Sequence, residues 1–349
     1  MNMFDYVKKH GNYSFEDMPF NEVDNVIFSQ IPYLPLKGVV SGFGHRPVTL
    51  SKAARMLERE IKKKRSILPA RFYKKVYRLF FLMKDAPRYK DILLYNYVRV
   101  VDHDKQFGAI TIKLPDDTIY VSYEGTDCAI SGWYEDARMT YSFPVPAQEL
   151  AANYLSRTIR FLDKRIIIGG HSKGGNLAIY AALEAPFYMK NKIIKVYNND
   201  GPGFFKEHFN SKKYQKLLPK IVKIVPRESV IGMFLYQSED LEIVKSKSKR
   251  ILQHDPFNWQ ISGRYFERDS LSNFSHNVSN KTNLWLAKLS KEEKEQCLTK
   301  LFNAFDSSNI EETNQLYSIS KTKNFIKYLY HIDNESKENL IDVFKEMIW

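Results

Sequence analysis

Ile166-Ile167-Ile168-Gly169-Gly170-His171-Ser172-Lys173-Gly174-Gly175-Asn176-Leu177-Ala178-Ile179-Tyr180 opens with three β-branched residues and closes on a run of small and apolar ones. The opening reads as a buried strand and the close as a helix. Between them Gly170, Ser172 and Gly174 form the pattern G-x-S-x-G, which places the serine on a sharp strand-to-helix turn. Such a turn strains the serine backbone, and glycines two residues to either side leave room where a β-carbon would strike the neighbouring strand or helix. The serine oxygen then stands above a sheet at a helix N-terminus, whose N–H groups and dipole favour a developing negative charge. A glycine-rich turn with a capping serine would explain the glycines but not His171-Ser172 between them. The expectation is a nucleophile, Ser172.

Outward from this turn the hydrophobic pattern alternates. Ile92–Val101, Gly108–Leu114 and Thr118–Tyr123 read as strands, the last two joined as a hairpin by Pro115-Asp116-Asp117. Gln148–Leu162 reads as a helix, Arg165–Ile168 as a strand and Gly175–Leu183 as a helix, with further strands at Ile193–Tyr197 and Ile221–Val225. This order predicts an α/β-hydrolase fold: a mostly parallel central sheet flanked by helices. Residues 51–86 read as helical and amphipathic, with Ala54, Met56, Leu57 and Ile61 opposite a basic face that includes Lys62-Lys63-Lys64-Arg65. Helical patterns return at Lys291–Ala304, Asn309–Tyr330 and Lys337–Ile348. The expected organisation is an N-terminal segment (1–86) packing on the core, an α/β core (87–270) and a C-terminal helical extension (271–349).

Composition narrows the function classes. Hydrophobic residues make up 44% and charged residues 27% of 349, with 22 Tyr and 23 Phe, so the chain can bury a large core and is not of the disordered class. The net charge of +13 fits either a basic face for an anionic partner or a dispersed lysine-rich surface. No nucleic-acid-binding signature accompanies the basic run, so no nucleic acid is expected, while peripheral contact with an anionic membrane stays open. Cys128 and Cys297 share no metal or redox spacing, which suits a reducing compartment. The N-terminus lacks a basic-then-apolar signal pattern and there is no run of about 18 apolar residues, so a cytoplasmic location is expected. No metal-ligand cluster is visible, and no cofactor is expected. Nothing in the sequence fixes the oligomeric state.

Gly170-His171-Ser172-Lys173-Gly174-Gly175 resembles the G-H-S-x-G-G elbow of the class 3 (fungal-type) lipases. More closely, the chain resembles a bacterial family of lipase-like α/β hydrolases without an assigned activity, over roughly Asp24 to Ile261. The resemblance implies a carboxylic ester substrate, soluble or lipid, cleaved through an acyl-enzyme. Ile119-Tyr-Val-Ser-Tyr-Glu-Gly-Thr-Asp127 is similar to the lipase strand ending in Phe-Arg-Gly-Thr/Ser, which implies that Thr126 supplies one oxyanion donor and the N–H of Lys173 the other. Losing one such donor typically costs about 3 kcal/mol. Glu124 departs from the lipase arginine. Gly132-Trp133-Tyr134-Glu135-Asp136 looks like the family's Trp/acidic segment, read as structural or lid-anchoring.

A nucleophilic serine needs a base oriented by an acid, in the chain order Ser, acid, His. His208, His254, His276 and His331 follow Ser172. His254, in Ile251-Leu-Gln-His-Asp-Pro-Phe-Asn-Trp259, resembles the lipase histidine followed by an aromatic, with His276 its rival. Glu228 takes the Asp position of the lipase Asp-x-Val-Pro segment in Lys223-Ile-Val-Pro-Arg-Glu-Ser-Val-Ile-Gly232. Asp200, in Asn198-Asn-Asp-Gly-Pro-Gly203, is the alternative acid and Asp240 a third. Asp255 adjoins His254 and is expected to point away from it. Tyr134–Pro146, Phe204–Leu218 and Met233–Tyr236 are candidate lids. Two other functions share these residues: a thioesterase, peptidase or acyltransferase using the same triad, and a non-catalytic binding protein on a hydrolase scaffold.

Overall fold

The computed structural model describes residues 1–44, 46–64, 71–101, 105–126, 130–237, 240–308, 324, 325, 327 and 328. Its centre is one sheet, with eight strands among the described residues, in sequential order: β1 (Val48–Thr49), β2 (Leu93–Val101), β3 (Gln106–Lys113), β4 (Ile119–Tyr123), β5 (Ile166–His171), β6 (Ile193–Asn199), β7 (Ile221–Pro226) and β8 (Leu241–Val244). β1 to β4 pair antiparallel and β4 to β8 pair parallel. The unbroken apolar run of β5 reflects burial on both faces. Ile166 and Ile168 join one core cluster while Ile167 joins the other, and in β4 Ile119 and Val121 face one way and Tyr120 the other.

On one face lie α1 (Met3–His10), α2 (Glu22–Phe28), α3 (Leu50–Lys64) and α4 (Arg71–Met83). α1 and α2 each begin with a capping box, Asn2 with Asp5 and Asn21 with Asp24, which satisfies orphan N–H groups at the helix start. Asp24 then receives the fully buried Arg88, whose Nε donates to Oδ1 at 2.9 Å while Tyr89 Oη donates to the same oxygen at 2.7 Å. Arg88 Nη1 also donates to the carbonyl of Met18 at 2.7 Å, so one guanidinium pins the N-terminal layer.

The other face is covered by α5 (Ile130–Arg138), α6 (Pro146–Thr158), α7 (Lys173–Glu184), α8 (Phe187–Lys190), α9 (Lys206–Phe209) and α10 (Lys212–Leu217). α6 ends at Thr158, short of the expected Leu162: Ile159 is extended, and Asp163 accepts the Arg160 N–H at 2.7 Å, turning the chain so that Phe161 and Leu162 project outward. α11 (Asn273–Lys288) and α12 (Lys291–Ser307) close the described chain. α11, whose polar sequence hid its periodicity, packs on the loop after β7, where Ser275 Oγ donates to the Ser229 carbonyl. α12 packs on α5, with Phe302 edge-on to Tyr134 at 5.0 Å. The further helices expected at Asn309–Tyr330 and Lys337–Ile348 lie outside the described residues, apart from helical positions 324, 325, 327 and 328. Among the described residues no helix is long and apolar enough to cross a membrane.

The parallel half fixes where chemistry can sit. β4, β5, β6 and β7 share one direction, so the residues just past their C-terminal ends meet at one edge of the sheet, the usual place for a site in such folds. Those residues include Thr126, Ser172, Asp200 and Glu228. The β5–β6 register pairs His171 with Asn199, which sets Ser172 beside Asp200.

Candidate active site

Ser172 has φ 57° and ψ −133°, a conformation that side-chain-bearing residues rarely adopt. The turn holds it there by donating the Ser172 N–H to the Asn199 carbonyl at 2.9 Å and by the Gly175 N–H bonding the Ser172 carbonyl at 2.9 Å. The flanking glycines are required by contact distance: a β-carbon on Gly170 would lie 2.3 Å from the Gly174 backbone, and one on Gly174 would lie 2.3 Å from the Tyr123 carbonyl oxygen.

His254 ends a short 3-10 turn, Arg250–His254, and its Nδ1 is 2.7 Å from Oδ2 of Asp200. Asp200 is fully buried and itself sits at φ 54°, a left-handed turn that rotates its carboxylate toward the imidazole. Its other oxygen accepts the hydroxyl of Ser229. Lys223 is buried below this carboxylate, and burial pulls its ammonium down to about 7 despite the attraction of Asp200. With Nδ1–H donated to Asp200, the Nε2 of His254 is left as the acceptor. Among the described residues no direct hydrogen bond joins Ser172 Oγ to His254, a bond that often tightens only when substrate binds.

A second histidine ties the elbow to His254. His171 Nε2 lies 2.8 Å from the carbonyl oxygen of His254, so it carries the proton and donates. Its Nδ1 faces Tyr33 Oη at 3.4 Å, and that hydroxyl accepts the Gly125 N–H at 3.1 Å. Burial, with His254 beside it, pushes the His171 imidazole well below the usual histidine range, so it stays neutral. One hydrogen-bonded chain thus runs from the loop after β4, through the N-terminal layer and the elbow, to the backbone of His254.

That loop lies against Ser172. A β-carbon on Gly125 would be 2.3 Å from the His171 carbonyl oxygen and 3.1 Å from Ser172 Cβ. Thr126 follows, its Oγ1 donating to Asp136 Oδ2 at 2.6 Å. On the other side, the N–H of Lys173 opens α7 and has no intrahelical acceptor. The Lys173 side chain runs inward and is fully buried, its Nζ 2.7 Å from Glu135 Oε2 and 3.0 Å from the Gln106 carbonyl. Glu135 also accepts the N–H groups of Gln106 and Ala147. Two consecutive acids on α5 therefore grip the two residues flanking the space above Ser172. Burial raises the Asp136 carboxyl to about 6, opposed by the Lys173 charge and the Thr126 hydrogen bond.

The model of the Mbeg1-like family matches residues 83–303. The chain belongs to the Mbeg1-like family. The match takes in α11 and most of α12, beyond the Ile261 limit expected from the motifs. No curated protein matches the chain. Among solved structures it is similar to M37 lipase, at 16% identity over 59% of this chain and 67% of that one with a TM-score of 0.34. It is also similar to Rhizomucor miehei lipase in its propeptide complex, at 14% identity over 71% and 81% with a TM-score of 0.34.

The structure of this Mbeg1-like chain separates the remaining candidates. Between Asp200 and Glu228, it is Asp200 that meets the imidazole. Glu228 accepts from the Arg250 N–H at 2.6 Å and the Gln253 side chain at 2.9 Å, so it braces the turn that carries His254. Asp255 pairs with Lys75, facing away from its neighbour's ring. His276 lies exposed on α11, His208 stacks on Phe143 at 3.7 Å, and His331 lies outside the described residues. Glu124, in the place of the lipase arginine, is buried and paired with Arg99 at 3.1 Å. Two of the candidate lids are joined, Phe204 and Tyr236 exchanging backbone hydrogen bonds, and Phe143 of the third packs edge-on against Phe204. Among the described residues no cluster of three or more His, Cys, Asp or Glu is placed to hold a metal ion. The sequence carries no signal for Tyr33, and it leaves the partners of His171 and Glu135 open: the Tyr33 hydroxyl, the His254 carbonyl and the Lys173 ammonium are found only in the fold.

Proposed function

We propose that this protein is a serine hydrolase of carboxylic esters, with Ser172 as nucleophile, His254 as base and Asp200 as the orienting acid. The observation that carries it is the 2.7 Å bond from His254 to a buried Asp200, set beside a serine held at φ 57° on a glycine-flanked elbow. In this reading Nε2 of His254 takes the Ser172 proton as Oγ attacks the ester carbonyl. The oxyanion forms between the N–H groups of Lys173 and Thr126. Collapse of the tetrahedral intermediate expels the alcohol, which receives its proton from His254, and water activated by the same imidazole then releases the acid. The likeness of the elbow to the class 3 lipases supports acyl esters, lipids among them, as the substrate class.

The test is covalent labelling with a fluorophosphonate probe. The wild type is expected to form a stoichiometric adduct at Ser172 that Ser172→Ala abolishes and His254→Ala slows strongly. Folded wild-type protein that takes no label would sink the proposal in favour of a binding protein on a hydrolase scaffold. Turnover of a series of p-nitrophenyl esters of rising acyl length then reads the preferred acyl group.

A further inference from the structure

The opposite edge of the sheet carries more than half of the chain's net charge. Three segments, 160–165, 184–192 and 212–220, lead into β5, β6 and β7, so the parallel order sets them side by side. They hold nine Lys or Arg against two acids, a net +7 of the chain's +13 in under a tenth of its length. Both acids are engaged, Asp163 by the Arg160 N–H and Glu184 by Lys213. Lys220 Nζ donates to the Lys190 carbonyl at 2.9 Å, joining the second and third segments. Asp117, in the neighbouring β3–β4 turn, is paired with Lys113.

Large apolar side chains stand out from this basic field. Phe161, Leu162 and Phe187 are 82%, 84% and 81% exposed, and Tyr188 is 48% exposed. Lys192 links the two pairs: its Nζ is 5.2 Å from the Phe161 ring and 5.7 Å from the Tyr188 ring. Scattered exposed apolar residues mean little, but two adjacent pairs bridged by one cation form a patch. The combination fits a lipid surface. Aromatic and aliphatic side chains enter the boundary between headgroups and acyl chains while lysine stems lie along it with their ammonium groups outward. A phosphate backbone would engage the cations but leave Leu162 and Phe187 without a contact.

We propose that this edge docks on anionic membranes. β5 is six residues long, about 20 Å, and Ser172 lies past its far end, so docking holds the site away from the bilayer and leaves it facing the aqueous phase. This is tethering, distinct from opening of a site against the lipid, and it does not depend on the identity of the reaction.

Flotation with the full chain tests it, using vesicles of phosphatidylcholine alone and of equal parts phosphatidylcholine and phosphatidylserine. The wild type is expected to float with the anionic vesicles and not the neutral ones, and to be released by high salt. The variant Phe161→Ser/Leu162→Ser/Phe187→Ser changes only exposed side chains and is expected to lose binding about a hundredfold. Lys164→Glu/Arg165→Glu/Lys216→Glu is expected to lose about a hundredfold or more. Both should keep the wild-type unfolding midpoint and the wild-type rate of fluorophosphonate labelling. Equal flotation with both vesicle types, no flotation with either, or binding that both variants retain would overturn the proposal. Wild-type protein that shifts a DNA duplex and ignores vesicles would assign the edge to nucleic acid instead.

Discussion

Lys173 occupies the variable position of the elbow, and replacing it tests how the site is held. Its side chain and that of Glu135 are 0% and 1% exposed, with Nζ and Oε2 2.7 Å apart. Desolvating two ions is costly, and only their mutual attraction plus hydrogen bonds offsets it. Glu135 accepts two backbone N–H groups besides the lysine, whereas Lys173 has only the Gln106 carbonyl, at 3.0 Å, with Asp136 Oδ1 further off at 4.0 Å. Lys173→Met therefore leaves a carboxylate with two donors, and Glu135→Gln leaves an ammonium with no countercharge in hydrogen-bond reach and turns an amide NH2 toward a backbone N–H. Each single change is expected to cost about 3–5 kcal/mol, the glutamate change the more. The double variant removes both charges and is expected to lie within about 2 kcal/mol of the wild type, a coupling of about 4 kcal/mol or more. Urea unfolding followed by tryptophan fluorescence at pH 8 measures all four proteins. Labelling of Ser172 should fall in the singles and recover in part in the double, since the first turn of α7, next to Ser172, is anchored by this pair. Single effects that add to within about 0.5 kcal/mol would refute the reasoning, since the two side chains would then not act as a unit.

Three further outcomes follow from the same geometry. Asp200→Asn keeps the fold but reverses the hydrogen bond that sets the His254 tautomer, so kcat on p-nitrophenyl acetate should fall about 10⁴-fold, whereas Glu228→Gln, which only braces the turn, should cost less than about tenfold; equal losses would reject the assignment of the acid. The Asp136 carboxyl is raised from 3.8 to about 6, so between those values the folded chain holds a proton that the unfolded chain has lost. Stability should therefore fall as pH rises through that window and level off about 3 kcal/mol lower above it. Asp136→Asn, whose amide oxygen can still accept from Thr126, should flatten this slope, and urea midpoints measured from pH 4 to pH 7 decide it. Gly125→Ala forces a β-carbon to 2.3 Å from both the His171 carbonyl and Tyr33 Oη, so the loop after β4 must shift; if its N–H groups hold the oxyanion as proposed, turnover should drop about 10²–10³-fold with the fold retained, and an unaffected rate would contradict the loop's placement.

The difference between what the sequence discloses and what it hides is itself physical. The elbow is legible because its constraint is local: a residue forced to φ 57° needs glycines at fixed offsets, and the strand before it, buried on both faces, needs an unbroken apolar run. The strand order is legible for the same reason, through the alternation of periods. The acid is not, because Asp200 and Glu228 both follow strands of the same sheet edge, on neighbours β6 and β7, and either position lies within reach of a histidine arriving from the next loop. What separates them is the left-handed turn at Asp200, which aims the carboxylate, and the side chain of Gln253, which takes up Glu228. Neither leaves a mark at fixed spacing. The charge is a third case. A net +13 looks dispersed along the sequence, since its basic residues fall in separate segments that only the parallel order brings together. The same topology that gathers Thr126, Ser172 and Asp200 at the C-terminal ends of β4, β5 and β6 gathers lysines and arginines at the starts of β5, β6 and β7, so one sheet carries unlike chemistry at its two ends.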